Sequence, residues 1–294
     1  MFNSLLTELQ GSPLALAAGG FAELQTIIKQ CVHHRNNATN PYHSKETASA
    51  RAENQLLQQA GQDAQYVQVL PIIGVMTKYG ESDWFGYYPG MDDIAMEIAR
   101  ADQDENLLGT ILLMNTYGGS TQSWIRLEEV LRTRKKPVIA VVDGMCASAG
   151  VYVACFCDKI LALNKTCKIG SIGVMAQLLD TSEAERKQGY RLLEFYPPES
   201  KYKNKAERDA LDGNDKALIE ETLSPLARHF QEVVRTQRPG LKQDTEGLLE
   251  GKMFFATDAM DAGLIDGICT MPEAIKTVCD IAKERDDILE QLKG

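Results

Sequence analysis

From Tyr66 onward, short wholly apolar runs alternate with stretches of helical spacing, and no other feature of the chain restricts its fold as tightly. Val67, Val69, Ile72, Ile73, Val75 and Met76 form the first run, residues 110–114 the second and residues 138–142 the third. The last two carry no polar face, the pattern of strands buried on both sides of a sheet. Between them Trp124, Leu127, Val130 and Leu131 recur at helical spacing within residues 123–136, and residues 91–100 form another helical stretch before the second run. Strand and helix alternate, which predicts an α/β fold with helices covering the sheet. The small apolar residues 147–154 predict a buried helix that other backbone can approach closely, followed by strands over 159–163 and 172–175, a helix over 182–188 and a strand over 191–195. A loop over 196–204, two long helical patterns and a Gly-punctuated segment complete the core. Ile275, Val278, Cys279, Ile281, Ala282, Ile288, Leu289 and Leu292 then mark residues 272–294 as a terminal amphipathic helix.

Residues 1–65 read differently: helical patterns interrupted by the polar run His33, His34, Arg35, Asn36, Asn37, then an Ala/Glu/Gln-rich stretch over 45–65. This predicts an N-terminal helical arm that packs on the core, mediates assembly or stays disordered. The organisation expected is an arm over 1–65, a catalytic-size core over 66–271 and a C-terminal helix over 272–294.

Charge and cysteine use narrow the function classes. The formal net charge of −10, with no long basic stretch to offset it, argues against a nucleic-acid backbone as main partner. Seven cysteines follow no metal-ligand spacing and most stand among apolar residues, as thiols in a reducing compartment do. No segment reaches the ~18 uninterrupted apolar residues of a membrane span, and the start lacks a leader pattern. The expectation is a soluble, cytoplasmic protein with no membrane span.

Three segments could carry chemistry. Asn115-Thr116-Tyr117-Gly118-Gly119-Ser120 follows a buried strand, and its paired glycines bare backbone N–H groups that could face a phosphate or an acyl oxyanion. An isolated Gly-Gly is more often an ordinary turn. Asp143-Gly144-Met145-Cys146-Ala147-Ser148-Ala149-Gly150 places one hydroxyl among small residues at a helix start, a cap or a nucleophile. Lys168-Ile169-Gly170-Ser171-Ile172-Gly173-Val174 offers a second hydroxyl, in a turn or beside the first site. A nucleophilic serine needs a base. His33, His34 and His43 lie in the arm, and His229 reads better as a helix-surface or half-buried histidine, so attention turns to Lys201, Lys203 and Lys205. A solvated lysine at pKa ~10.4 is a poor base, and lowering it by about three units costs roughly 4 kcal/mol of desolvation. Only a lysine buried beside Ser148 would serve.

Taken in order, Asn115 to Ser120, Ala147-Ser148-Ala149-Gly150-Val151-Tyr152 and Gly170-Ser171-Ile172-Gly173-Val174 resemble the S49 peptidases, the signal peptide peptidase A group with its phage capsid protease relatives. The likeness runs from about Gln68 to about Gly267 and includes Ala259-Met260-Asp261-Ala262-Gly263-Leu264-Ile265-Asp266. It implies a ClpP/crotonase-type α/β fold with a repeated β-β-α core. It also implies a Ser/Lys dyad: Ser148 as nucleophile, Lys203 as general base with Lys201 in reserve, and Ser171 bonding the lysine. Gly118, Gly119 and Ala149 would form the oxyanion hole, with Gly119 favoured over Gly118 in the glycine turn. Two positions depart from the family: Tyr117 stands where proline usually precedes the glycines, and Ala149 where glycine commonly follows the nucleophile.

The reading that follows is a serine endopeptidase acting through an acyl-enzyme, with no metal or cofactor. Its partners would be a protein or peptide substrate and other copies of itself in a ring-shaped homo-oligomer. In a phage or prophage setting, working in the bacterial host cytoplasm, the substrates would be capsid, portal or scaffold segments, or the arm itself. Two rivals remain: a crotonase-type acyl-CoA enzyme, which would not require the Ser148, Ser171 and lysine set, and an inactive assembly protein on the same fold.

Overall fold

The computed structural model describes residues 14–16, 65–83 and 86–293. In chain order these form β1 (Leu14–Leu16), β2 (Tyr66–Met76), β3 (Glu81–Asp83), β4 (Gly86–Tyr88), α1 (Met91–Ala101), β5 (Leu107–Ser120), α2 (Trp124–Thr133), β6 (Val138–Ala147) and α3 (Ala149–Ala154). Then come β7 (Lys159–Ala162), β8 (Lys168–Gly170), α4 (Ser182–Lys187), a 3-10 turn (Pro198–Ser200), α5 (Lys205–Leu211) and a π-helical turn (Leu218–Leu223) running into α6 (Ser224–Gln237). The chain closes with β9 (Met253–Phe255), α7 (Ala256–Asp261), β10 (Gly267–Ile268) and α8 (Met271–Lys293).

The sheet is parallel through β2, β5, β6, β7 and β10. β8 continues it beside the far end of β6, and β9 and β1 add antiparallel strands on β8 and β5. Parity along the strands sorts the core into two layers, because successive side chains point to opposite faces. Ile111, Leu113, Ile139 and Val141 meet Ala274 and Val278 of α8 on one face. Leu112, Met114, Ala140 and Val142 meet Ile94, Ile98, Leu127, Leu131, Tyr152 and Phe230 of α1, α2, α3 and α6 on the other. The apolar runs had no polar face because helices cover both sides.

Carboxylates pin the strand ends. Asp158 accepts the Val138 amide at 2.8 Å while pairing with Arg134, and Asp266 accepts the Ile160 amide at 2.7 Å while holding Arg238 through two bonds of 2.9 and 3.1 Å. Each satisfies a backbone donor and a guanidinium together.

Several expectations shift. The strand expected over 172–175 sits earlier, at β8, because Ser171 takes a positive φ of 56° that ends the extended run. Residues 191–195 are not a strand; they are exposed and pair with no other strand among the described residues. Most of the 1–65 arm lies outside the described residues, and its described part, β1, is a strand where a helical pattern was expected.

Candidate active site

Ser148 occupies the turn between β6 and α3 with φ 54° and ψ −115°, a conformation that side-chain-bearing residues rarely adopt. Holding it costs about 1–3 kcal/mol, which the surroundings must offset. The Ser148 amide donates to Gly170 O at 2.9 Å, and its carbonyl accepts the Tyr152 amide at 3.0 Å, starting the helix. A sharp strand-to-helix turn of this kind lifts a hydroxyl clear of its own backbone and turns the next amide toward the same space. That amide belongs to Ala149, in the first turn of α3, where N–H groups have no intrahelical acceptor.

Small residues let this turn sit against the sheet. Ala147 and Ala149 are fully buried, and a Cβ on Gly150 would come within 2.7 Å of Thr116 Cγ2. Tyr152, one helical turn on, stacks on Trp124 at 4.0 Å and meets Phe230, so α3 is anchored by an aromatic cluster. The Tyr152 hydroxyl bonds Glu128 at 2.6 Å and His229 at 3.0 Å. Burial and Glu128 together push that phenol far up, with burial the larger cause. His229 is thereby placed on Tyr152 at the surface, as its helical setting suggested.

The segment 168–174 wraps the serine. Besides the Gly170 carbonyl on the Ser148 amide, the Gly173 carbonyl accepts from Ser148 Oγ at 3.3 Å, and the Ser171 amide is held by Lys252 O at 3.1 Å. The Gly173 contact was not foreseen, since a backbone acceptor leaves no mark in a sequence. Gly118 and Gly119 end β5 nearby: Thr116 pairs with Cys146, two residues before the nucleophile. The Gly118 amide donates to Thr116 Oγ1 at 3.0 Å, and that hydroxyl donates to Gly74 O at 2.5 Å. Thr116 belongs to the glycine motif, and its place two residues before Gly118 is the sequence signal of this bond.

Lys203 and Lys201 are both exposed, in a loop where the Lys203 amide donates to Ser200 O at 3.0 Å and the Lys201 ammonium sits 5.0 Å from the Tyr202 ring centroid. Lys203 lines an open cleft of about 330 Å³ with Glu194, Phe195, Tyr196, Pro197, Ser200 and Asn204. No hydrogen bond joins either lysine to Ser148 or Ser171 among the described residues. The structure therefore brings together Ser148, Ala149, the 168–174 segment and the end of β5.

The family model for Peptidase family S49 matches residues 130–284. Protease 4 of Haemophilus influenzae is 28% identical over 72% of this chain and 34% of its own length. Capsid assembly protease C of Escherichia phage lambda is 24% identical over 74% of this chain and 50% of its own length. The putative protease MJ0651 of Methanocaldococcus jannaschii is 26% identical over 62% of this chain and 58% of its own length. The chain thus spans between a third and three fifths of the length of these relatives. Among solved structures, a serine-to-alanine mutant of the 1510-N membrane-bound stomatin-specific protease aligns over 72% of this chain and 84% of its own, with 17% identity and a TM-score of 0.45.

Proposed function

We propose that this chain, which belongs to peptidase family S49, is a serine endopeptidase in which Ser148 attacks the peptide carbonyl and Lys203 moves the proton. The observation that carries the reading is the Ser148 turn: φ 54° and ψ −115° at a strand-to-helix junction, with Ala149 opening the helix that follows. In the acylation step Ser148 Oγ bonds the carbonyl carbon while neutral Lys203 takes the hydroxyl proton and passes it to the departing amine. The oxyanion forms between the Ala149 and Gly119 amides, since the Gly118 amide is taken by Thr116 Oγ1. Ser171 orients the lysine amine. Water then attacks the ester, its proton passes through Lys203 to Ser148 Oγ, and a carboxylic acid leaves. Lys201 stands in reserve as base.

A lysine becomes a base only when removed from solvent, and the loop bearing Lys203 is exposed. That loop and the segment before it show Leu179, Tyr190, Leu192, Leu193, Phe195 and Tyr202 to solvent, Leu192 at 77% and Phe195 at 87%. Large apolar side chains gathered in one exposed segment mark a surface that another body covers. We assign that body to a second copy of the chain, in a homo-oligomer whose contacts carry the lysine loop onto a serine site. The core over 66–271 is the peptidase unit and residues 272–294 its closing helix. The lambda relative is named a capsid assembly protease, and this motivates phage head proteins as substrates and the bacterial cytoplasm as the place of action. The exposure of Lys203 also favours, as second reading, an inactive assembly protein.

Incubation with an unstructured protein such as casein separates the two readings. Wild type is expected to cleave it and Ser148→Ala to lose about 10,000-fold or more of that rate. Equal cleavage by both would remove Ser148 from the reaction, and none by either would leave the assembly protein.

A further inference from the structure

Thr116 stands where both neighbours of β5 lose register. On one side Gly74 of β2 pairs with Thr116 and Val75 with Gly118, so Tyr117 is the extra residue of a bulge. On the other, Val142 of β6 pairs with Met114 and Cys146 with Thr116, so residues 143–145 are matched by Asn115 alone. A bulge interrupts the ladder and leaves main-chain groups to be satisfied in some other way. The Thr116 side chain supplies the substitute. Fully buried, its hydroxyl donates to Gly74 O at 2.5 Å and accepts the Gly118 amide at 3.0 Å. One oxygen thereby fixes the turn in which Gly118, at φ 94°, leads the chain into Gly119.

The other branch of the same side chain faces α3. A Cβ placed on Gly150 would meet Thr116 Cγ2 at 2.7 Å, whereas Cys146 Sγ and Met114 Cε would stand at 3.4 and 3.6 Å. The methyl is thus the nearest atom facing that position, one residue after Ala149. A β-branched side chain has few choices of χ1. With its oxygen tied to Gly74 and Gly118, Thr116 cannot turn the methyl away from the helix. The two branches of one stiff side chain therefore touch the two backbone segments that carry the Gly119 and Ala149 amides.

We propose that Thr116 is a positioning residue for catalysis: its hydroxyl sets the Gly119 amide, its methyl sets the seat of α3 and so the Ala149 amide, and together they gauge the gap between the two donors. This deepens the peptidase reading and rests on it. Thr116 acts through the two amides rather than on the substrate. The oxyanion exists only after the serine has attacked, so donors held at the wrong separation bind substrate as before and fail the transition state. A displacement of about 1 Å in such a donor costs on the order of 100-fold in rate. The loss belongs in kcat, with KM left in place. Valine at this position keeps the shape without the hydroxyl, and serine keeps the hydroxyl without the methyl.

The test measures initial rates over a range of casein concentrations for the full chain as wild type, Ser148→Ala, Thr116→Val, Thr116→Ser, Gly150→Ala, and Thr116→Ser combined with Gly150→Ala. Rates are referred to the folded fraction of each, read by circular dichroism. Thr116→Val is expected to lower kcat ~100-fold with KM within about twofold of wild type, and Thr116→Ser to hold kcat within about threefold. Gly150→Ala drives a methyl against Thr116 Cγ2 and should lose ~10-fold of kcat, which Thr116→Ser in the same chain should restore because the atom it strikes is gone. If Thr116→Val does not fold, this second pair decides alone. Wild-type kcat in folded Thr116→Val, or a Gly150→Ala defect that Thr116→Ser leaves unchanged, overturns the positioning role while the peptidase reading stands. So does a loss that falls on KM. A wild type that cleaves no more casein than Ser148→Ala overturns the peptidase reading, and the role of Thr116 with it.

Discussion

Ser148 is the residue on which backbone strain and chemistry coincide. Its positive φ is held by the Gly170 carbonyl from one side and the start of α3 on the other. Relieving the strain should therefore separate stability from activity: Ser148→Gly, free to adopt φ 54°, is expected to raise the unfolding free energy by about 1 kcal/mol while abolishing cleavage. Urea unfolding monitored by fluorescence reads the first effect, and a Ser148→Gly chain less stable than wild type would deny the strain. The serine was legible because its neighbours, Ala147, Ala149 and Gly150, are small for a reason the structure displays, the approach of α3 to Thr116. The lysine was legible only as one of several in a loop. Nothing in the spacing of Lys201 and Lys203 says which of them a partner surface would cover.

At the scale of elements, apolar runs and helical periods located the central strands and the helices whose burial is supplied by this chain. They failed where burial is not. Residues 191–195 are apolar enough to read as a strand, yet they lie exposed with no partner strand among the described residues. The β8 segment was displaced because one residue, Ser171, turns with positive φ, and a serine gives no warning of that. The close fit of α3 on β5 carries its own prediction: Gly150→Val, forced against Thr116 Cγ2, should destabilise the fold by about 1–3 kcal/mol and slow probe labelling of Ser148. An unchanged urea midpoint would mean that α3 yields freely. Three cysteines make the neighbourhood of α3 sensitive to alkali. Burial pushes Cys155 and Cys157 up to about 12 and Cys146 well above its ordinary value, whereas an unfolded thiol ionises near ~8.5. Above that point the unfolded chain sheds protons that the folded chain keeps, so stability falls as pH rises and is unaffected below it. The urea midpoint should stay level up to about pH 8 and decline between about pH 9 and 11; a level midpoint through that window would refute it.

At the scale of the whole molecule, a sheet covered by helices on both faces presents a finished nucleophile turn and an unfinished base. The apolar loop carrying Lys203 explains why: on the proposed reading it is built to be covered by another copy. Leu192→Asp with Phe195→Asp should therefore shift the species seen by light scattering to the monomer and abolish Ser148 labelling together, leaving the fold intact. A monomeric wild type with full activity would contradict the shared site. The central claim, Ser148 working with Lys203, is tested most directly by intact mass after long exposure to excess fluorophosphonate, run on wild type, Ser148→Ala, Lys203→Ala and Lys201→Ala. The account predicts one adduct on wild type and Lys201→Ala, none on Ser148→Ala, and labelling slowed on the order of 1,000-fold on Lys203→Ala. Labelling that survives in Lys203→Ala at the wild-type rate would contradict it.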